Sequence, residues 1–270
     1  MGRRLFRGML LILFLILEAL CLQEILRERS SVSFLKEDTL LGEAFRKQEL
    51  PPELYRDLRR RAGEEKGFSE LLTSTMALGE FAPDRIREGT AAFLKYKREE
   101  YRLLGSAYEA IWSGVEAFPV ASKEISFQDT FLAKRSYGGD RLHEGTDLFG
   151  KREEPGYYPI VSMTDGEVEE VGWLPLGGWR IGIRSRAGGY FYYAHLSGYD
   201  QEFQRGQMVR AGDVLGYMGN SGYGEEGTVG RFPVHLHLGI YITTPQREEL
   251  SVNPYWVLRA AAYMQNIKIL

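Results

Sequence analysis

The sequence has a single cysteine, Cys21, among 270 residues. One thiol can neither close a disulfide within the chain nor build a cysteine zinc site, so any metal must be held by nitrogen and oxygen. A basic surplus is also missing. The 34 Lys and Arg against 37 Asp and Glu leave a formal net charge of -3, and no nucleic-acid partner is expected from a surface without that surplus. Histidine is scarce: there are four in the chain, and none precedes His143. What is present is the mixture of a folded protein, with 44% hydrophobic and 26% charged residues and enough length to bury a substantial core.

Long hydrophobic runs are confined to the N-terminus. Arg3, Arg4 and Arg7 precede an apolar stretch from Gly8 to Leu22, interrupted only by Glu18, the layout of a basic n-region followed by an h-region. The stretch is shorter than the ~20 residues that span a bilayer comfortably. Residues 1–30 are therefore expected to be a signal peptide, cleaved after Cys21 where Ala19 and Cys21 are small, or a short membrane anchor with its arginines inside. Bulky Leu20 argues against a lipoprotein cysteine at Cys21, and the flanking arginines argue against a buried core helix. Either outcome exports the remainder, giving an extracytoplasmic protein that is membrane-anchored or secreted.

The exported part divides by composition. Residues 37–119 are helical in character: Pro51 and Pro52 open "ELYRDLRRRAGEE", and "FSELLTSTMAL" follows from Phe68. From Thr90 to Phe118, Phe93, Lys97, Tyr101, Leu104, Tyr108, Ile111 and Val115 recur at three- and four-residue steps, which predicts one amphipathic helix with a core-facing aromatic stripe. The cluster Arg56, Arg59, Arg60 and Arg61 reads as a solvated helix face. After Phe118 glycine becomes dense: 20 of the 31 glycines lie between His143 and Gly239. They punctuate short β-rich runs, among them "WRIGIRS" and "YFYYAHLS" joined across "RAGG" as a hairpin. The fold class expected is α+β: an N-terminal anchor or signal, a helical segment, and an antiparallel all-β domain over residues 120–262.

All four histidines fall in this last part, in the phrases "HEGTD", "YYAHLSG" and "VHLHLGI". Strand alternation puts His235 and His237 on one face, about 7 Å apart, with Val234, Leu236 and Leu238 on the other. Such a pair is either a metal or catalytic feature or a solvent-facing pair. In "HEGTD", Gly145 and Thr146 disfavour a helix, but in extended chain His143 and Asp147 again share a face. Glu144 points the other way and reads as a surface residue.

Together, "HEGTD", "YAHLS", "HLH" and the text "GQMVRAGDVLGYMGNSG" resemble the lysostaphin- and LytM-type zinc metallopeptidases, which cut peptide links in bacterial peptidoglycan. The resemblance runs from about Tyr137 to Pro254. It implies one Zn2+ per chain held by His143, Asp147 and His237, with His195 and His235 flanking the catalytic water and Tyr137 helping to stabilise the transition state. Three protein ligands and an open fourth position suit catalytic zinc, and two further neutral histidines suit proton transfer. The sequence departs from the family in having Pro233 one residue early and Leu238 where an aromatic is common. Its loop "YGEEGTVGRF" is long, and Glu225 and Glu226 could face the groove. "GWLPLGGWR", with Trp173 and Trp179, is a candidate groove wall, with core packing the alternative. A carboxylate from the Tyr137–Asp140 approach could reach the fourth metal position as a latency device.

Three functions follow. The first is an exported zinc endopeptidase acting on peptidoglycan peptides. The second is a non-catalytic member of the same fold that binds wall or an envelope protein partner during envelope assembly or sporulation. The third is a membrane-held assembly protein whose function lies in the helical segment. Retention of every implied ligand favours the first.

Overall fold

A computed structural model describes residues 2–62, 67–136 and 139–269, the side chains of residues 3–5 excepted. The first helix, α1 (Gly2–Ser31), has 30 residues and is about 45 Å long at ~1.5 Å per residue. The helix thus runs well past the apolar stretch read from the sequence, and over Phe6–Ser31 it is long and apolar enough to cross a membrane. None of that span is buried inside the protein, so it is not a core helix. Its C-terminal end is fastened to the body, where Glu28 Oε2 accepts from Lys95 Nζ at 2.9 Å and Tyr96 Oη at 3.4 Å.

A 3₁₀ turn (Thr39–Leu41) and the helices α2 (Glu43–Arg46), α3 (Pro52–Arg61), α4 (Phe68–Leu78), α5 (Ala91–Tyr96) and α6 (Arg98–Trp112) follow. Pro52 opens α3, where its fixed φ suits the first turn and its missing N–H costs nothing. The single helix expected over residues 90–118 is broken at Lys97, whose backbone is non-helical at φ -142° and ψ 40°. The break has a packing reason. In an unbroken helix Phe93 and Tyr101 would stand about 12 Å apart along the axis, whereas here their rings stack at 4.8 Å, and Lys97 turns to pair with Glu100 at 2.8 Å. Leu104, Tyr108, Ile111 and Trp112 of α6 are buried as the stripe requires. The basic cluster on α3 is partnered within the chain: Arg60 pairs with Asp57 and Arg61 with Glu88, while Arg59 lies over Phe68.

The strands are β1 (Glu124–Phe127), β2 (Lys134–Arg135), β3 (Arg141–Leu142), β4 (Thr146–Phe149), β5 (Pro159–Val161), β6 (Gly166–Leu174), β7 (Gly178–Ser185), β8 (Tyr190–Tyr199), β9 (Met208–Val209), β10 (Val214–Met218), β11 (Leu236–Ile242), β12 (Leu250–Val252) and β13 (Lys268–Ile269), with α7 (Tyr255–Met264) before the last. The main sheet runs β13-β1-β4-β11-β8-β7-β6-β9, while β10 joins β5 to β8, β12 pairs with β11, and β2–β3 form a separate hairpin. The pairings are antiparallel except β1 with β13. One face of β11 sends Leu236, Leu238 and Ile240 into the core, as alternation predicts. Those side chains and the helices share one continuous hydrophobic core. The open face of β11 and β4 carries the site.

Candidate metal centre and catalytic groove

Strands β4 and β11 are antiparallel neighbours, and their register sets His237 directly opposite Asp147. His143 enters from the end of β3, and the chain then passes under the His237 ring at Gly145. A Cβ there would lie 2.5 Å from His237 Cε1 and 2.5 Å from the Leu238 carbonyl oxygen, so only glycine permits this approach. The result is three converging donor atoms. His143 Nε2 is 3.1 Å from Asp147 Oδ1 and 3.1 Å from His237 Nδ1, and His237 Nδ1 is 2.9 Å from Asp147 Oδ1. Among the described residues, His143, Asp147 and His237 form the group that could hold a metal ion. Asp140 does not belong to it.

The donor set fits zinc. Ligand atoms ~2.0–2.1 Å from one ion at tetrahedral angles stand about 3.3 Å apart, close to the spacing observed. Tautomers agree. His143 Nδ1 faces the Thr130 carbonyl at 3.2 Å and the Thr130 hydroxyl at 3.0 Å. The carbonyl can only accept, so Nδ1 carries the hydrogen and Nε2 presents a lone pair. Two imidazole lone pairs and a carboxylate aimed at one point repel unless a cation lies between them. A guanidinium nitrogen of Arg135 sits 3.0 Å from His143 Nδ1 and 2.9 Å from Asp147 Oδ2. With Nδ1 donating to Thr130, its bond is the one to Asp147, which leaves Oδ1 facing the histidines.

His195 and His235 stand beside this centre. Their ring centroids are 4.8 Å apart, and His235 Nε2 lies 3.7 Å from Asp147 Oδ1. Each has its Nδ1 on a backbone carbonyl: His195 on Ser221 at 2.9 Å, His235 on Pro233 at 2.7 Å. In both, Nδ1 therefore holds the hydrogen and Nε2 is the basic atom. His195 reaches the site by a backbone irregularity. Between Tyr193 and Leu196, β8 places two residues opposite the single Arg180 of β7, and His195 takes φ 65°, a left-handed conformation that costs about 1–2 kcal/mol. Regular alternation would send His195 to the core face with Phe191 and Tyr193; the bulge turns it towards His237 instead.

Burial lowers the pKa of His195 well below the ordinary imidazole value, and the neighbouring His235 and His237 add to this. Burial also lowers His235 and His237. For Asp147 burial acts upward, yet the carboxyl is lowered on balance and stays ionised, as the Arg135 guanidinium 2.9 Å from Oδ2 favours. His195, His235 and His237 are thus neutral at neutral pH, beside an ionised carboxylate.

A groove of about 490 Å³ opens over these residues. Around His195 and His235 its wall is Tyr223 and Phe232; around His237 it is Tyr192, Tyr241 and Glu144; Arg141, Arg231 and the loop tip Leu176–Gly177, whose Gly177 carbonyl accepts from the His195 N–H at 2.8 Å, also line it. The tryptophans considered as groove wall do not line it. Trp173 and Trp179 pack edge to face at 5.4 Å behind the loop, and Trp173 Nε1 holds the Gly224 carbonyl at 3.3 Å, because their ring area is better buried than hydrated. Glu225 and Glu226 are exposed on their loop and do not line the groove either. Glu144 is exposed but anchored, accepting from Ser251 Oγ at 2.9 Å. Tyr137 lies outside the described residues. Thr130, Arg135 and Ser221 were not singled out from the sequence; each acts across a distance in chain that no local pattern reports.

A model described as peptidase family M23 matches residues 141–254. The L-Ala–D-Glu endopeptidase of Bacillus subtilis (strain 168) is 44% identical over 164 residues, 60% of this chain and 48% of that protein. Glycyl-glycine endopeptidase ALE-1 of Staphylococcus capitis is 29% identical over 126 residues, 46% of this chain and 31% of its own. The chain thus spans half or less of the length of these curated relatives. A crystal structure from Ruminococcus gnavus ATCC 29149, provisionally named as glycyl-glycine endopeptidase lytM, is 41% identical with a TM-score of 0.72, covering 88% of this chain and 97% of that one.

Proposed function

Because the chain belongs to peptidase family M23, we propose that it is an exported zinc endopeptidase that hydrolyses the L-Ala–D-Glu bond of peptidoglycan stem peptides. The observation that carries this reading is the meeting of His143 Nε2, Asp147 Oδ1 and His237 Nδ1 at one point, with His235 Nε2 3.7 Å from Asp147 Oδ1 and the His195 ring 5.9 Å from that of His237. The bond is named from the B. subtilis relative. Export and membrane attachment are inferred from α1, whose exposed apolar length would be covered by lipid.

His143, Asp147 and His237 would hold one Zn2+ per chain, which when bound supplies Lewis acidity towards the scissile carbonyl and acidifies water at an open position. Arg135 holds Asp147 Oδ2 and so leaves Oδ1 as the oxygen that would be offered to a bound metal. His195 and His235, neutral and basic at Nε2, accept the proton of the attacking water and return one to the departing amine. Tyr137 keeps the role the resemblance implies, support of the developing oxyanion. No residue of 37–119 lines the groove among those described, so the helical segment acts as a support rather than a plug.

The test uses the full chain in detergent, with peptidoglycan of several cross-link types, with and without chelator, and mass spectrometry of the released fragments. A chelator-sensitive product with a new D-Glu N-terminus, absent from His235→Ala and His237→Ala, is expected. One bound zinc with no product from any wall type would instead establish the non-catalytic binding member.

A further inference from the structure

Beyond His237 the groove continues onto an aromatic floor. His237, Gly239 and Tyr241 share one face of β11, and the Tyr241 ring folds back over Gly239, where a Cβ would lie 2.6 Å from its Cε2 and 3.2 Å from its Cζ. Gly239 leaves the space the ring occupies. On β8, Tyr192 stands opposite Gly239, and its ring meets that of Tyr241 edge to face at 6.4 Å and that of His237 at 6.1 Å. Tyr190 flanks Tyr241 at 6.1 Å. The side of the ring left open faces the groove, which Tyr192, Tyr241 and Glu144 line together. Glu144 borders the ring, for the Tyr241 hydroxyl donates to its carbonyl at 3.4 Å. Among the described residues, the contacts of the Glu144 carboxylate, with Ser251 Oγ at 2.9 Å and Arg46 Nη2 at 3.8 Å, both fall on Oε1, so Oε2 keeps its capacity to accept.

We propose that Tyr241, Tyr192 and Glu144 form a sugar-binding subsite that holds the N-acetylated pyranose bearing the stem peptide, so that the preferred substrate is glycan-linked rather than free peptide. The inference rests on the peptidase reading above. Direction comes from the histidines. His235 precedes His237 on the chain and Tyr241 follows it, and the amine that takes a proton from His195 and His235 leaves towards their end of the groove. The acyl part of the substrate therefore runs the other way, over Tyr241. Distance agrees with this. Gly239 is two residues past His237, which sets the ring above it about 7 Å beyond the metal-binding histidine at ~3.4 Å per residue. In a glycan-linked stem peptide the L-Ala nitrogen is acylated by a lactyl group that is itself an ether of the sugar. L-Ala and lactyl together span about 7 Å at ~3.3–3.6 Å per extended unit, which brings the sugar onto the floor. A pyranose offers an apolar C–H face to an aromatic ring and hydroxyl and amide donors to a carboxylate. A free stem peptide, beginning at L-Ala, ends short of Tyr241. Hydrolysis of the lactyl–L-Ala amide by another enzyme would remove the recognised group, so that class of reaction is expected to follow this cleavage rather than supply its substrate.

The experiment gives zinc-loaded full-length protein in detergent two substrates that differ only in the sugar, N-acetylmuramoyl-L-Ala-D-Glu and D-lactoyl-L-Ala-D-Glu. The sugar-bearing form is expected to be cut with kcat/KM higher by about tenfold, mostly through KM, the scale of one aromatic contact with one hydrogen bond. Y241A and E144Q should each bring the ratio of the two substrates towards one, and Y241F, which keeps the ring, should preserve most of it. General loosening of β11 would slow both substrates equally and leave the ratio intact, so the ratio separates recognition from damage. A second readout needs no catalysis: calorimetry with metal-free protein should show binding of N-acetylmuramoyl-L-Ala, lost in Y241A, and none of D-lactoyl-L-Ala. Equal turnover of the two substrates by the parent, or a ratio unchanged in Y241A and E144Q, would overturn the proposal while leaving the peptidase reading in place. If neither substrate is cut, the peptidase reading fails on its own, and the calorimetry decides the sugar subsite.

Discussion

The contact at Gly145 makes the sharpest claim about the metal centre. Replacing Gly145 by Ala adds a Cβ 2.5 Å from His237 Cε1 and 2.5 Å from the Leu238 carbonyl oxygen, where ordinary contact begins at 3.4 Å. One of these groups, or the 143–147 loop, must then move by about 0.9 Å, which exceeds the ~0.5 Å tolerance of a productive site. The carbonyl belongs to the β11 backbone and is held by the sheet, so the displacement falls on the His237 ring and on the segment from His143 to Gly145 that leads into β4. Overpacking of this kind costs about 1–3 kcal/mol of stability. Zinc affinity should fall by about 10–100-fold, with kcat/KM reduced by ~10². Competition against a chromophoric chelator reads the affinity, and a urea melt of the metal-free protein shows that the fold survives. Gly198→Ala, where a Cβ meets nothing within 4 Å, is the control. Parental zinc affinity in Gly145→Ala would refute the assignment of His237 and the loop to one metal.

Other consequences can be measured separately. His195→Ala and His195→Gly should both abolish cleavage, but the glycine variant should be the more stable by about 1 kcal/mol because it relieves the positive φ; equal urea midpoints would deny that the conformation is strained. Arg46→Met removes the bonds from α2 to the Ser251 carbonyl at 2.9 Å and hydroxyl at 2.7 Å, and should cost about 2–3 kcal/mol; a calorimetric loss under 0.5 kcal/mol would exclude α2 as a support of the site. The depressed pKa values of His195 and His235 set the pH response of the metal-free protein. Their folded values lie below the unfolded value near ~6.5, so the unfolded chain binds more protons as pH falls. Stability is therefore full above about 6.5 and is lost progressively below it; urea midpoints from pH 7.5 down to 5.5 that do not fall would contradict the burial of these rings.

Much of the candidate site was legible because its elements are local. Glycine spacing and alternating side chains announced the strands, and the even separation of His235 and His237, and of His143 and Asp147, placed each pair on one face. The resemblance to a known family then joined the pairs. What stayed hidden depends on partners far along the chain. Nothing near Arg135 or Thr130 in sequence signals that they turn towards Asp147 and His143, and the tryptophans that suggested a wall are spent on each other behind the Leu176–Gly177 tip. The helical stripe over residues 90–118 identified the buried residues correctly but not the break at Lys97, since the Phe93–Tyr101 stack that favours the break rewards a bend no periodicity records.

The sequence by itself determined which side chains are available for chemistry and which face most of them take, because strand and helix periods are properties of the local backbone. Only the tertiary structure decided that His195 joins them. Alternation alone would bury that ring with Phe191 and Tyr193, and one extra residue in β8, held in a left-handed turn by its neighbours β7 and β10, aims it into the groove. The tertiary structure likewise decided that α2 supports the segment bearing His143 and Glu144, through Arg46, Ser251 and Glu144. Such contacts join residues 107 and 205 positions apart, and their geometry is set when the shared core closes, not by any residue's neighbours in sequence.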